Sequence, residues 1–257
     1  MADFPTWLVA LRRSHDRMTA LVGGLTDEQV TLRSYADEWS LAQVASHLGS
    51  QAEIFDLFLT AGLTGAEVPD GDTFVPIWDR WNSLAPRSQV ADSVAANEHF
   101  VSRLEHLEPD QRDAFALSLF GSEIDIAGLV ALRVGEHALH TWDIAVALDP
   151  AATIAQDAVE LLIDMLPQRA AAAGTPVPGG RPLEVVTSDP MRTFRLTLDP
   201  AVTLMPRDGI TPDAVVARFP AEAFLRLVAG RLDAEHTPLG VDAADHIDEL
   251  RQAFPGF

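Results

Sequence analysis

The sequence predicts two domains of different class, an α-helical bundle in residues 1–174 and a small α+β domain in residues 183–257. Up to residue 173, apolar side chains recur with helical spacing in long segments joined by mostly short connections, which favours helices packed as antiparallel neighbours. The stretch GTPVPGGRP then carries three Pro and three Gly, so residues 175–182 read as a linker. Beyond it, short runs alternate between apolar and polar residues, which is typical of strands.

Apolar spacing predicts the first helix, and capping patterns mark the two helical segments that follow it. Apolar residues spaced close to 3.6 apart predict a helix over residues 7–25. Thr26 with Gln29 forms a capping-box pattern and predicts a short helical turn. Ser40 with Gln43 repeats the pattern and opens a second long helix, SLAQVASHLGSQAEIFDLFLTAGL.

The middle of the chain predicts further helices separated by breaks. Residues 62–75 are rich in Gly and acidic residues and predict a surface loop. The third helical region is expected to break at Pro76 and Pro86 and to run to about residue 107. After the fourth helix, an Ala-, Leu- and Ile-rich segment predicts a fifth over residues 153–173.

The C-terminal part predicts strands followed by helices, the pattern of a small α+β domain. Turn residues such as Ser188-Asp189-Pro190 separate the strand-like runs. The predicted strands are LEVVT, TFRLTL, AVTLM and DAVVARF, and the predicted helices are PAEAFLRLVAGR and DAADHIDELRQAF.

Composition excludes several classes of function. The net charge is −20, from 38 acidic and 18 basic residues. Nucleic acids and anionic membrane surfaces bind to clustered Lys and Arg, and here the basic residues are scattered among acids. We therefore expect neither nucleic acid nor membrane as a partner.

The chain has no cysteine, which excludes disulfides, a cysteine nucleophile and thiolate metal ligands. Any thiol chemistry would need a thiol from outside. The N-terminus lacks the pattern of a signal peptide, and charges interrupt the apolar runs before the length of a membrane span. These features predict a cytoplasmic protein.

The fourth predicted helix, residues 125–148, carries the stretch RVGEHALHTWD inside an apolar run. Glu136 and His140 are four residues apart and lie one turn apart on one helix face, a spacing that suits two ligands of one divalent cation. His137 is rotated by about 100° and does not share that face. A solvated charged face, or a core histidine paired with a carboxylate, is the alternative interpretation.

A third ligand would decide between these interpretations. His47 lies beside the apolar face of the second helix, where a single histidine is usually a hydrogen-bonded core residue. If the second and fourth helices are neighbours, His47 completes a set of two histidines and one glutamate with an open fourth position, as in catalytic zinc sites.

The segments WSLAQVASHL and RVGEHALHTWDIAVAL together resemble the mycothiol-dependent maleylpyruvate isomerase family. In that family a Trp-Ser/Thr segment ending in His-Leu precedes a helix with the pattern Arg-x2-Glu-x3-His-x2-Asp. The resemblance implies a DinB-like four-helix bundle with a small C-terminal α+β domain, and LRLVAGRL is similar to a helix of that second domain. It also implies His47, Glu136 and His140 as ligands of zinc or another divalent metal.

The resemblance implies an enzyme in which mycothiol, or a similar low-molecular-weight thiol, serves as cosubstrate and adds to an electrophilic small molecule. An isomerase would release the thiol again, whereas a transferase would keep the conjugate. A metal-dependent hydrolase on the same bundle and a non-catalytic metal-binding stress-response protein are the alternatives. The resemblance favours a monomer.

Four more residues receive candidate roles, each with a structural alternative. Asp143 is expected to orient a ligand imidazole or Arg133, or to form an ion pair on the helix surface. Arg133 would contact the cofactor or only hold the helix in place. Arg231 is expected, by the resemblance, to bind an anionic substrate or cofactor oxygen in the cleft between domains, or to be a cation at a helix C-terminus. Trp39 would contact the cofactor or pack under the second helix.

Overall fold

A computed structural model describes residues 2–36, 38–119 and 121–256, and its contacts divide the chain into two compact units, Met1–Ala152 and Thr153–Phe257. The first unit is helical and the second is built on a small sheet, which confirms the predicted fold class. Within the described ranges, no helix has both the length and the apolar character needed to cross a bilayer.

The first unit is a four-helix bundle with two short additions. Its helices are α1 (Phe4–Gly23), α2 (Leu41–Thr64), α3 (Gly71–Asn82), α4 (Pro86–Glu105), α5 (Pro109–Ala114) and α6 (Ile126–Leu148). In the bundle, α1 packs against α4 and α6, and α2 packs against the same two helices. A two-stranded antiparallel hairpin, β1 (Leu117–Leu119) and β2 (Ser122–Ile124), precedes α6 and was not predicted.

Side-chain caps fix where the two functionally important helices begin. Ser40 accepts a hydrogen bond from the backbone N–H of Gln43, whose side chain accepts from the Ser40 N–H in return, so the predicted capping box is present. Asp125 caps α6 by accepting from the N–H of Gly128. Such caps satisfy N–H groups that have no partner within the helix.

The predicted break at Pro76 is wrong, because α3 runs through it. The loop is correspondingly shorter than residues 62–75, since α2 continues to Thr64 and Asp70 caps α3. Proline removes one hydrogen bond from the helix interior, but aromatic side chains of α3 pack on the rest of the bundle. The Phe74 ring lies edge-on to Phe58 of α2, with 5.7 Å between the ring centroids. This packing keeps the segment helical although Pro76 cannot donate a backbone hydrogen bond.

A glycine of α2 leaves room for an aromatic ring of α3. Gly49 faces the ring of Trp81, which is only 2% exposed, and a methyl group added at Gly49 would overlap that ring. Because Gly49 lies two residues after His47 on α2, this contact also fixes the helix that carries a candidate ligand.

The second unit contains every strand and both C-terminal helices that the sequence predicts. Its elements are α7 (Gln156–Leu162), α8 (Leu166–Ala173), β3 (Leu183–Ser188), β4 (Arg192–Thr197), β5 (Thr203–Pro206), β6 (Val216–Pro220), α9 (Ala221–Val228) and α10 (Ile247–Ala253). The sheet order is β5-β4-β3-β6. β3 pairs parallel with β6, and the other two pairs are antiparallel.

The predicted fifth helix, residues 153–173, is divided and belongs to the second unit. A 3₁₀ turn, Ile163–Met165, separates α7 from α8, and Pro167 lies in the first turn of α8, where its missing N–H costs least. α8 packs on β5, and both helices pack on α9. The contacts therefore place the division after residue 152, ahead of the predicted linker at residues 175–182.

Gly49→Ala is expected to destabilise the protein although alanine is the better helix former. The added methyl forces the buried Trp81 ring to move, and such overpacking costs about 1–3 kcal/mol. Gly23→Ala at the end of α1 is the matched control, since nothing lies within 4 Å of a methyl there. Urea unfolding should show a lower midpoint for Gly49→Ala alone, and equal midpoints for both variants would contradict the packing argument.

Candidate metal centre

Three side chains from two helices meet in the first unit. The Nε2 atom of His47 lies 3.7 Å from Oε2 of Glu136, and Nε2 of His140 lies 3.6 Å from the same oxygen. The three candidate ligand atoms all fall within 4.8 Å of one another. α2 and α6 are neighbours in the bundle, which is the condition that His47 had to meet.

This arrangement fits a zinc ion. Ligand atoms bound at about 2.0–2.1 Å in tetrahedral geometry are separated by about 3.4 Å. The two separations from the Glu136 oxygen are within a few tenths of an ångström of that value. Small side-chain movements would close the set around one ion. Imidazole nitrogen with carboxylate oxygen suits zinc and related divalent metals.

The protonation states suit ligation. Burial lowers the pKa of His47 below its ordinary value, although the nearby Glu136 carboxylate opposes this, so the imidazole is neutral near pH 7. Burial alone would raise the pKa of Glu136, but the neighbouring His140 and His47 rings and the hydrogen bond donated by Gln51 outweigh burial and hold that pKa well below its ordinary value. A neutral imidazole and an ionised carboxylate are the forms that bind metal.

Asp143 fixes the orientation of His140. Its Oδ2 atom lies 2.8 Å from Nδ1 of His140, and the Asp143 side chain is fully buried. Because a carboxylate only accepts, Nδ1 of His140 donates, and in a neutral imidazole the lone pair is then on Nε2. That nitrogen is the one that faces Glu136. Carboxylate–histidine pairs of this kind commonly orient metal ligands.

Arg133 is fully buried in the bundle and is held on several sides. Nη1 donates to Oε1 of Gln51 at 2.8 Å, and Nη2 donates to the carbonyl of Leu48 at 2.7 Å and to Oδ1 of Asn97. The guanidinium also lies over the Phe55 ring, 5.5 Å from its centroid. Gln51 and Asn97 were not predicted, although Gln51 follows His47 by one helical turn, which is a signal that the sequence does contain.

Trp39 lies against both histidines of the site. Its ring centroid is 5.1 Å from that of His47 and 6.4 Å from that of His140. The side chain is partly buried and also packs on the apolar core between helices. Contact with the ligand set and packing under α2 therefore occur together.

His137 belongs to a different cluster. Its Nδ1 lies 3.1 Å from Oγ of Ser14, and its ring lies edge-on to His15, with 6.2 Å between centroids. Burial lowers the pKa of His137 well below its ordinary value, and burial lowers that of His15 as well. Both rings are therefore neutral core residues near pH 7, and the ligand set does not include His137, as the helical geometry predicts.

Arg231 lies in the second unit, three residues beyond the end of α9 at Val228. Its side chain is 2% exposed. Nη1 donates to the carbonyl of Ala229 at 2.9 Å, so the guanidinium binds backbone at the C-terminal end of the helix. A role in substrate binding stays a prediction.

The chain matches a known protein family in sequence and solved crystal structures in fold. The family profile described as the mycothiol maleylpyruvate isomerase N-terminal domain matches residues 11–145, more than half of the chain. Two crystal structures of the mycothiol-dependent maleylpyruvate isomerase, one a histidine-to-alanine mutant, match with a TM-score of 0.65 and 17% identity, covering 93% of this chain and 92% of theirs. At this identity, the structural likeness shows the fold.

YfiT from Bacillus subtilis, described as a probable metal-dependent hydrolase with an unusual four-helix bundle topology, matches over 55% of this chain and 83% of its own, with 19% identity and a TM-score of 0.42. That likeness is too weak to carry an argument. No curated protein matches the sequence significantly. The profile match over residues 11–145 includes every residue of the candidate centre. This chain belongs to the mycothiol maleylpyruvate isomerase N-terminal domain family.

Proposed function

We propose that this protein is a zinc-dependent enzyme that activates mycothiol, or a similar low-molecular-weight thiol, for addition to an electrophilic small molecule. The observation that carries the proposal is the set of His47, Glu136 and His140. Three protein ligands leave one position of a tetrahedral zinc for an added ligand, which distinguishes catalytic from structural sites. Family membership supports a thiol as that ligand.

The site is accessible to such a ligand. The side chains of His47 and Glu136 keep 24% and 30% of their surface exposed, whereas that of His140 keeps 7%. One side of the set is therefore open to solvent and the other is enclosed by the bundle. A structural metal site is normally closed by a fourth protein ligand.

Charge balance favours an anionic ligand. Burial lowers the pKa of Arg133 to about 10, so the guanidinium is still charged at neutral pH. Imidazoles that bind metal are neutral, so zinc with the Glu136 carboxylate would keep one positive charge, close to the Arg133 guanidinium that Gln51 connects to Glu136. A thiolate would neutralise the charge that remains on zinc. Bound zinc would supply that chemistry by stabilising the thiolate over the thiol near pH 7.

The protein's own residues would position the reactants. Asp143 holds His140 in the tautomer that directs Nε2 to the site, and the Trp39 ring lies beside both imidazoles. Since the chain has no cysteine, the nucleophilic sulfur belongs to the cosubstrate. Low-molecular-weight thiols are kept reduced in the cytoplasm, and we propose that the protein acts there. We also propose that it acts as a monomer.

Addition of the thiolate to the electrophile can lead to isomerisation or to a stable conjugate. The thiolate sulfur adds to one carbon of a double bond conjugated to a carbonyl, and the electron pair of that bond moves onto the carbonyl oxygen. In an isomerase, the former double bond rotates, the pair returns, and the carbon–sulfur bond breaks to restore the thiolate. In a transferase, a proton from water is added to carbon and the carbon–sulfur bond remains.

The hydrolase alternative has less support. Water activation at zinc usually needs a nearby general base. Glu136 is occupied as a ligand, and Asp143 is fully buried and bound to His140. Neither carboxylate is placed to accept a proton from an attacking water.

The thiol proposal is tested with the cobalt-substituted protein. Adding mycothiol to the full chain should produce a sulfur-to-cobalt charge-transfer absorption, because a thiolate enters the open position. His47→Ala removes one of three ligands. Loss of a residue that only hydrogen-bonds to a ligand typically lowers metal affinity about 10- to 100-fold, so loss of a ligand should lower it by at least about 100-fold. The thiol absorption should also disappear.

His99→Ala is the matched control, since His99 is exposed and lies outside the ligand set. It should bind one metal ion per chain and respond to mycothiol as the parent does. A parent protein that binds cobalt but shows no thiol absorption would contradict thiol activation. Equal metal affinity of His47→Ala and His99→Ala would contradict the ligand set.

We propose that Arg231 binds an anionic substrate. Arg231→Lys keeps the charge but loses the planar fork that binds a carboxylate with two hydrogen bonds. With maleylpyruvate and mycothiol as test substrates, it should raise KM for maleylpyruvate about 10-fold or more, the loss of one charged hydrogen bond, while zinc affinity stays the same. An unchanged KM together with a lower unfolding midpoint would assign Arg231 to the helix terminus alone.

A further inference from the structure

Gln51 bridges the buried arginine and the ligand carboxylate. It lies on α2 one turn after His47, and its side chain extends between two residues of α6. Nε2 of Gln51 donates to Oε2 of Glu136 at 2.8 Å, and Oε1 of Gln51 accepts from Nη1 of Arg133 at 2.8 Å. No other side chain is needed to connect these two charges.

The chemistry of the two neighbours fixes which way the amide points. A guanidinium has only donors and an ionised carboxylate has only acceptors. The oxygen of Gln51 must therefore face Arg133, and its NH2 group must face Glu136. A flipped amide would place donor against donor and acceptor against acceptor, so the orientation has a single solution.

The arginine end of this bridge is rigidly held. Arg133 is fully buried and also donates to the Leu48 carbonyl and to Asn97. Leu48 lies on α2, three residues before Gln51, so the guanidinium joins backbone and side chain of the same helix. Arg133 consequently fixes the Gln51 side chain relative to the backbone of α2.

The glutamate end concerns the oxygen that would bind metal. Oε2 of Glu136 accepts from Gln51, and this same atom lies nearest to Nε2 of His47 and of His140. A carboxylate oxygen has lone pairs enough for a hydrogen bond and a metal bond. Without the Gln51 bond, the Glu136 carboxylate could rotate and withdraw this oxygen.

We infer that Gln51 is a positioning residue that holds the metal-binding oxygen of Glu136 against both histidines and ties it to the buried guanidinium of Arg133. The inference rests on the metal centre of the proposed function. It does not depend on which thiol or substrate is used.

Gln51→Leu tests this by removing both hydrogen bonds from a side chain of similar volume. Zinc affinity of the full chain should fall about 10- to 100-fold, the range for losing an outer partner of a ligand. The cobalt-substituted variant should also show altered d–d absorption bands, because the Glu136 oxygen is no longer held in place. Affinity is measured by competition with a chromophoric chelator.

Gln89→Leu is the matched control, because it is the same substitution at another buried glutamine. The side-chain nitrogen of Gln89 donates to the Trp81 carbonyl rather than to Glu136, and the bonds of Arg133 go to other residues. This control variant should lower the unfolding midpoint while keeping the zinc affinity and the cobalt spectrum of the parent. Gln51→Met serves the same comparison if Gln51→Leu does not fold.

Equal zinc affinity and equal cobalt spectra for the parent and Gln51→Leu would overturn the inference. An equal loss of affinity in Gln89→Leu would also overturn it, because the effect would then follow from destabilisation. The comparison uses metal binding alone, so a parent protein that binds zinc without responding to mycothiol contradicts only the thiol activity.

Discussion

The structure depends on partners for the charged groups that α6 carries into the bundle. Removing an ionised side chain from water costs several kcal/mol unless other polar groups replace the lost solvent. Arg133 is compensated by groups of α2 and α4, and Asp143 by His140. Because Gln51 and Leu48 both belong to α2, these bonds fix how α2 lies along α6. The same alignment places His47 opposite Glu136 and His140.

The resulting site combines rigidity with access. The buried side of the ligand set is held by Asp143 and, through Gln51, by Arg133. Its outer side keeps part of His47 and Glu136 exposed. Preorganised ligands with one open coordination position are what a metal site needs to bind and activate an added molecule. With zinc bound, the site would carry excess positive charge and favour an anion, which links the buried arginine to the thiol chemistry that we propose.

Local signals in the sequence predicted much of the fold and of the candidate metal centre. A capping pattern marked the start of α2, and helical spacing paired Glu136 with His140 while separating His137 from them. The sequence could not show that His47 lies near Glu136 and His140, because this depends on the packing of α2 on α6.

Other features depend on tertiary contacts that no local pattern encodes. Pro76 remains helical because aromatic side chains of α3 pack on the bundle, and residues 153–173 join the second unit because α8 packs on β5. Gln51 has no local signature beyond its spacing from His47, since its role arises from two residues on another helix.

Zinc K-edge X-ray absorption of the zinc-loaded full chain, recorded before and after addition of mycothiol, tests the central claim most directly. The account predicts nitrogen and oxygen ligands at about 2.0–2.2 Å, with two imidazole scattering patterns, and a new sulfur ligand at about 2.3 Å once the thiol is present. Zinc held by the predicted ligands with no sulfur at any thiol concentration would contradict thiol activation. A chain that retains no zinc would contradict the metal centre itself.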